Sequence, residues 1–217
     1  MKYLSWAAFY EGGTDALYFD VLLPRIIRDL IATSGDDLVE VPDIPAVKLG
    51  VSDRSIAAVA SEVCTFKGAF DLLFIHADAG GRNLEQGLIH RAEAYCDAVY
   101  DRCGWPQTSC VTITPRHETE AWLLAGSAAV TAALGYNGAP EQVGLPTDAR
   151  AAERLVDPKS VLNGAIEAII GRRRRQSVEF LFPAIGQRQD LAALRQSTTF
   201  CSFEERLRAC LLSLRII

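Results

Sequence analysis

Three short stretches bring together the side chains that chemistry would need: Glu11-Gly12-Gly13-Thr14-Asp15, His76-Ala77-Asp78 and His117-Glu118-Thr119-Glu120. Each follows an apolar run of strand length: Leu4 to Phe9, Phe70 to Ile75 and Cys110 to Thr114. In open α/β sheets, ligand sites form outside the carboxyl ends of the strands. If the three ends converge, Glu11, Asp15, His76, Asp78 and Glu118 or Glu120 line one oxygen-rich pocket. Carboxylates gathered in a cleft repel one another and hold protons more tightly. A Mg²⁺ or Mn²⁺ ion relieves that repulsion, binds phosphate oxygens and activates a water for in-line attack; two ions clamp the attacking and leaving oxygens. Strand alternation puts His76 and Asp78 on the same side, which makes a joint role geometrically open.

Each of these residues also has a plainer role. Gly12 and Gly13 let the backbone turn without a Cβ clash, and Thr14 or Asp15 can cap the helix that follows. Glu118 and Glu120 fall in the expected first turn of a helix, where the macrodipole favours acids without any metal. Arg82, Arg116 and Lys159 are the candidate substrate-binding cations, Arg82 ranking above the run Arg172 to Arg175 because it is nearer the second acidic strand end. Phosphate contacts through such cations weaken as salt rises. Trp122 reads as core, and His90 as a surface or partly packed helix residue.

The elements that position these residues are legible from periodicity. Leu17, Phe19, Leu22, Leu23, Ile26, Ile27, Leu30 and Ile31 recur at helical spacing, with Pro24 expected to kink or break the helix. Short segments follow: a strand at Leu38 to Val41 and a helix at Ser55 to Val63. The run Phe70 to Ile75 has the near-continuous apolar pattern of a strand covered on both faces. Asn83 is placed to cap a helix through Tyr100, and Trp122 to Leu134 reads as one apolar helix. Alternating strands and helices favour a parallel α/β sheet. The expected organisation is a single domain, residues 1–217. It comprises an α/β core over 1–135 and a mainly helical C-terminal extension over 136–217, with helices starting near Asp157 and Phe203.

The chain has 217 residues, 49% apolar and 23% charged, and a net charge of −5. This excludes disordered and collagen-like classes. Residues 1–120 hold 10 Lys and Arg against 18 Asp and Glu, a net −8; residues 121–217 hold 12 against 9, a net +3. The acids therefore accumulate in the half that carries the candidate site, and the more basic half is free to face an anion. The six cysteines form no Cys-x-x-Cys pair and lie among apolar residues, the pattern of core thiols in a reducing compartment. The amino terminus lacks the regions of a signal peptide and no run is long enough to span a bilayer, so a cytoplasmic location without membrane association is expected. A Walker motif, a dinucleotide glycine fingerprint and a cysteine zinc site are all missing.

The Glu-Gly-x-Thr-Asp stretch, the strand ending His-x-Asp and the later Pro-Arg-His-Glu-Thr-Glu-Ala-Trp-Leu-Leu resemble the bacterial DUF4276 family of the Toprim-like superfamily. Asp157-Pro158-Lys159 and Phe200-x-x-Phe203 extend that resemblance over nearly the whole chain. It implies a Toprim-like, mostly parallel sheet flanked by helices. It further implies a metal-dependent nuclease similar to the overcoming-lysogenization-defect type, acting on DNA or RNA, in a bacterial defence setting. On that resemblance Glu11, His76, Asp78 and Glu120 are catalytic, and Glu11, Asp15, Asp78, Glu118 and Glu120 bind Mg²⁺ or Mn²⁺. His76 stands where the family has an aspartate. Imidazole is a poorer Mg²⁺ ligand but acceptable to Mn²⁺, so His76 is expected to ligate or carry a proton. Two alternatives stand beside this one: a non-catalytic Toprim-like interaction module partnering a protein such as an ATPase, and a phosphoryl-transfer enzyme acting on small nucleotides.

Overall fold

The computed structural model describes residues 2–35, 38–50, 52–80, 88–171 and 178–217. Arg82, Asn83 and the run Arg172 to Arg175 lie outside the described residues. Four strands form one parallel sheet: β2 (Trp6–Phe9), β4 (Val47–Lys48), β5 (Leu72–His76) and β6 (Cys110–Ile113), in the order β4-β2-β5-β6. A separate parallel pair joins β1 (Lys2–Tyr3) to β3 (Val39–Glu40). The chain is α/β, with helices on both faces of the sheet.

Strand alternation divides the core into two layers. Trp6, Ala8, Leu72, Phe74, Val111 and Ile113 point into one hydrophobic cluster, whereas Ala7, Phe9, Leu73 and Ile75 point into the other. The first layer is covered by α1 (Gly13–Ser34), the second by α2 (Ile56–Thr65) and α3 (Ala94–Cys103). The chain thus leaves β2 outward to β4 across one face and returns past β2 to β5 across the other. This reversal puts a topological switch point between β2 and β5, where open α/β sheets hold their ligands.

The first layer also receives the rest of the chain: α4 (Glu120–Ala125), α5 (Ser127–Ala133), α6 (Ala149–Glu153), α7 (Pro158–Ile170), α8 (Leu181–Arg188), α9 (Leu191–Leu194) and α10 (Thr198–Ser213). Leu162, Ile185, Phe200 and Phe203 share one cluster with Trp6 and Leu22, so the helices beyond residue 136 complete the core rather than extend from it. Trp122 is at its centre, fully buried. Its ring lies 5.8 Å from Phe19, 5.2 Å from Phe200 and 5.5 Å from Phe203, and its indole donates to Thr199 Oγ1 at 2.8 Å. Such aromatic pairs contribute roughly 0.5–1.5 kcal/mol each beyond area burial. Helix α8 comes close enough to α1 that a Cβ on Gly186 would stand 3.1 Å from the Tyr18 carbonyl oxygen.

Several local expectations are corrected. Helix α1 runs unbroken through Pro24, and its N-cap is Gly12 with no side-chain cap; Thr14 and Asp15 lie inside its first turn. The apolar stretch from Trp122 to Leu134 is two helices separated at Gly126. Ahead of α3, residues Leu88–Glu93 form a π-helical turn. Four of the six cysteines are paired, Cys64 with Cys103 and Cys96 with Cys110, against the expectation of core thiols. Topology explains this: Cys64 and Cys103 near the ends of adjacent helices, and Cys96 against the start of β6, meet in the second layer without any sequence proximity. Cys201 and Cys210 remain free. Among the described residues no helix is long and apolar enough to cross a membrane.

Candidate functional site

The turns after β2, β5 and β6 meet at the carboxyl edge of the sheet. Backbone bonds zip the second and third together: the amides of Ala77, Ala79 and Gly80 donate to the carbonyls of Ile113, Pro115 and His117 at 3.1, 3.1 and 3.2 Å. The turn after β2 joins them through a side chain. Glu11 Oε2 accepts from the Asp78 amide at 3.1 Å.

Glu11 is neutralised from within the protein. Arg91, on the π-helical turn, donates Nη2 to Glu11 Oε1 at 2.7 Å and Nη1 to the Asp78 carbonyl at 2.8 Å. The guanidinium therefore spans the switch point, holding the two turns at a fixed separation. Gly80 gives it room, since a Cβ there would stand 3.2 Å from Arg91 Nη1. Behind this pair, Glu11, Arg91, His76 and Tyr95 line a small cavity of about 120 Å³.

His76 is fully buried and stands between two carboxylates. Nδ1 lies 3.5 Å from Asp15 Oδ2, and Nε2 lies 3.3 Å from Asp78 Oδ1 and 3.1 Å from Thr119 Oγ1. Burial alone would lower its pKa. The carboxylates of Asp78, Asp15 and Glu11 outweigh that and raise it, favouring an imidazolium with both nitrogens turned toward acids. This is an internal place: the ring is enclosed by protein, against Phe19 at 5.0 Å, rather than presented to the cleft. Asp15, 8% exposed, has its own pKa raised by burial and by Asp78, with His76, Thr119 and the Gly12 backbone pulling the other way.

The third turn carries the acids least compensated by the protein. Glu120 is buried at the start of α4. Burial, together with Glu118 and Asp15, pushes its carboxyl up to about 7 against the opposing pull of its own backbone amide and Lys159. Glu118 Oε2 is buried without a hydrogen-bond partner, and Asp78 Oδ1 is buried with only the His76 ring, at 3.3 Å, to answer it. Gly80, His117, Glu118, Asp157 and Lys159 line an open cleft of about 620 Å³. Lys159 reaches it from the first turn of α7, which Asp157 caps by accepting from the Ser160 amide at 2.7 Å.

Glu11, Asp15, His76, Asp78, Glu118 and Glu120 thus belong to one connected edge, with Lys159 beside it. Arg116 is exposed on the turn after β6. Arg91 carries no signal in the sequence: it lies 80 positions from Glu11 and reads as an ordinary helix-face arginine. Thr119, between the two glutamates, is equally inconspicuous there, although its hydroxyl holds His76. Among the described residues, no group of three or more His, Cys, Asp and Glu is arranged to hold a metal ion as it stands. The donor chemistry nonetheless suits a hard divalent cation, because Glu118 Oε2 is buried without a partner, Asp78 shares the single charge of His76 with Asp15, and burial raises the Glu120 carboxyl to about 7. Compared with protein-family models, curated proteins and solved structures, the chain gives no match.

Proposed function

We propose that this chain is a Toprim-like, Mg²⁺- or Mn²⁺-dependent phosphodiester hydrolase acting on nucleic acid. The observation that carries the reading is the set of acids from three adjacent strand ends at a switch point, with Glu118 Oε2 buried and unpartnered and Asp78 Oδ1 answered only by the shared His76 at 3.3 Å. Asp78, Glu118 and Glu120 would hold the metal, which when bound supplies charge stabilisation at a phosphoryl oxygen and a water nucleophile at neutral pH. Glu120, whose carboxyl is raised to about 7 without the ion, would give up its proton on taking up the metal. His117 and Lys159 on the cleft wall would orient an anionic backbone. His76 fixes the rotamers of Asp15 and Asp78 from behind, and Arg91 sets the distance between the first two turns.

The test is a calorimetric titration of Mn²⁺ and Mg²⁺ into the chain, paired with cleavage assays on DNA and RNA. Native protein is expected to bind and cleave, whereas Asp78→Asn and Glu118→Gln each weaken binding at least about tenfold, the loss of one charged interaction. Absence of metal binding by the native chain, or cleavage unchanged in both variants, would refute the proposal. A second reading has one observation in its favour: Arg91 already neutralises Glu11 across the switch point. A Toprim-like module that binds a protein such as an ATPase without metal chemistry would keep that pair closed. It predicts a stoichiometric partner and no metal affinity.

A further inference from the structure

A second cavity, about 350 Å³, opens beside β6, an edge strand of the sheet, and shares no lining residue with the acidic cleft. Its volume falls in the range of small-molecule sites, roughly 300–1,000 Å³. Its walls come from α3 (Cys96, Asp97), β6 (Cys110, Thr112) and α10 (Arg206, Cys210).

Two residues of this lining each keep one buried polar atom without a hydrogen-bond partner. Thr112 alternates with Val111 and Ile113 and so faces the second layer, where its neighbours on β5 are Leu73 and Ile75. It is 3% exposed, and its Oγ1 has no hydrogen-bond partner. Arg206 donates Nη2 to Ser202 Oγ at 3.2 Å, and its Nη1 lies a loose 3.8 Å from Glu93 Oε1; Nε is buried and unpartnered. Burial lowers the guanidinium's pKa despite Glu93 and Glu205, which marks a cation short of counter-charge. Buried polar groups are paired as a rule, and an unpaired donor beside an open cavity calls for an acceptor from outside the chain.

The rest of the lining narrows the acceptor. Glu93 and Asp97 border the same cavity, and their charge disfavours a dianion. Ala209, the Cys210 side chain and the Cys96–Cys110 disulfide supply apolar wall. We infer that the cavity binds a small organic carboxylate, with its anionic end at the Arg206 guanidinium on the Thr112 side of the cavity and its apolar body against the sulfur-lined wall. A guanidinium and a hydroxyl are the donor types that fit a planar carboxylate.

Benzoate is the probe, with benzylamine and phenylphosphonate as shape-matched controls of other charge, titrated calorimetrically into the full chain. Benzoate is expected to bind with 1:1 stoichiometry and the controls far more weakly. Arg206→Met should weaken benzoate at least about tenfold, and the isosteric Thr112→Val several-fold. Without benzoate, Arg206→Met should melt close to the native chain, because it gives up only the 3.2 Å bond to Ser202 and a loose ion pair with Glu93 while the stem still packs. Failure of the native chain to bind benzoate, equal binding of either control, or unchanged benzoate affinity in both Arg206→Met and Thr112→Val would overturn the inference. So would a ligand-free Arg206→Met that melts well below native, since the guanidinium would then be a structural group already satisfied.

Discussion

Neighbouring glycines at the start of α1 should respond to the same substitution with opposite signs. Gly12 has φ −127° and ψ 153°, a conformation open to any residue, so its substitution carries no backbone strain. The obstacle is Asp15: a Cβ on Gly12 would lie 2.7 Å from Asp15 Oδ2, against about 3.4 Å for ordinary contact. The oxygen would have to retreat by about 0.7 Å, the difference between those two distances, from a buried position 3.5 Å from His76 Nδ1. Overpacking of this kind costs roughly 1–3 kcal/mol. Replacing any glycine by alanine recovers roughly 0.4–1 kcal/mol from the unfolded chain. The net loss for Gly12→Ala should therefore be about 1–2 kcal/mol. Gly13, the first residue of α1, has nothing within 4 Å of a built Cβ, so Gly13→Ala should stabilise by the full ~0.4–1 kcal/mol. Urea unfolding with linear extrapolation resolves both. In an Asp15→Ala background the Gly12→Ala penalty should vanish, because the clashing oxygen is gone. A penalty that persists there, or two glycines that respond alike, would refute the account of how Asp15 is held.

Two further outcomes are expected. Glu153 accepts from Ser197 Oγ at 2.6 Å, from Thr199 N and Oγ1 at 2.9 Å each, and from Thr198 N at 3.1 Å; although burial raises its pKa, these four donors lower it overall. A depressed folded pKa gives stability that is complete above the unfolded value of about 4.3 and lost as pH falls through the folded one. Glu153→Gln should thus cost about 2–3 kcal/mol at pH 7 and little at pH 2, and melting curves showing the same gap at both pH values would contradict this. The two disulfides close loops of 39 and 14 residue separations, each worth roughly 3–4 kcal/mol in chain entropy. Reductant should accordingly lower the urea midpoint by an amount that Cys64→Ser and Cys96→Ser together abolish, whereas an unchanged midpoint would return all six cysteines to the thiol state.

Sheet and site differ in what the sequence reveals about them. The strands are legible because Trp6–Phe9 and Leu72–His76 are buried on both faces, which leaves an unbroken apolar signal where a half-exposed strand would alternate. Helix boundaries are harder where two physical effects compete. Pro24 carries the signal of a break, yet α1 continues because Leu22, Leu23, Ile26 and Ile27 are all fully buried, and the packing of that face outweighs one missing hydrogen bond. Gly126 carries a weaker signal, yet α4 ends there and α5 begins. The buried Gln189 Nε2 donates at 3.2 Å to the Trp122 carbonyl, the acceptor the Gly126 amide would need to continue the helix, and a Cβ at 126 would stand 2.5 Å from that nitrogen. Cysteine pairing is illegible for the reason that makes the core legible, since Cys64, Cys96 and Cys103 sit at apolar-patterned positions whose burial says nothing of what they face.

At the site, residue types show where acids gather but not which of them still carry unbalanced charge. That depends on cations delivered by the fold from distant positions. Arg91 is occupied by Glu11, and His76 stands between Asp15 and Asp78. Both acids of the first turn are therefore answered inside the protein, although the family resemblance places both among the metal ligands. Lys159 acts on Glu120 too weakly to prevent its carboxyl from rising to about 7, and Glu118 keeps a buried oxygen unpartnered. Electrostatic need is therefore greatest at the third turn, beside the cleft where a ligand can enter. The consequence separates this geometry from the pattern of the resemblance: divalent-cation affinity should fall more in Glu118→Gln than in Glu11→Gln. The Glu11 change would instead loosen Arg91 and the Asp78 turn, and so register first as a loss of stability.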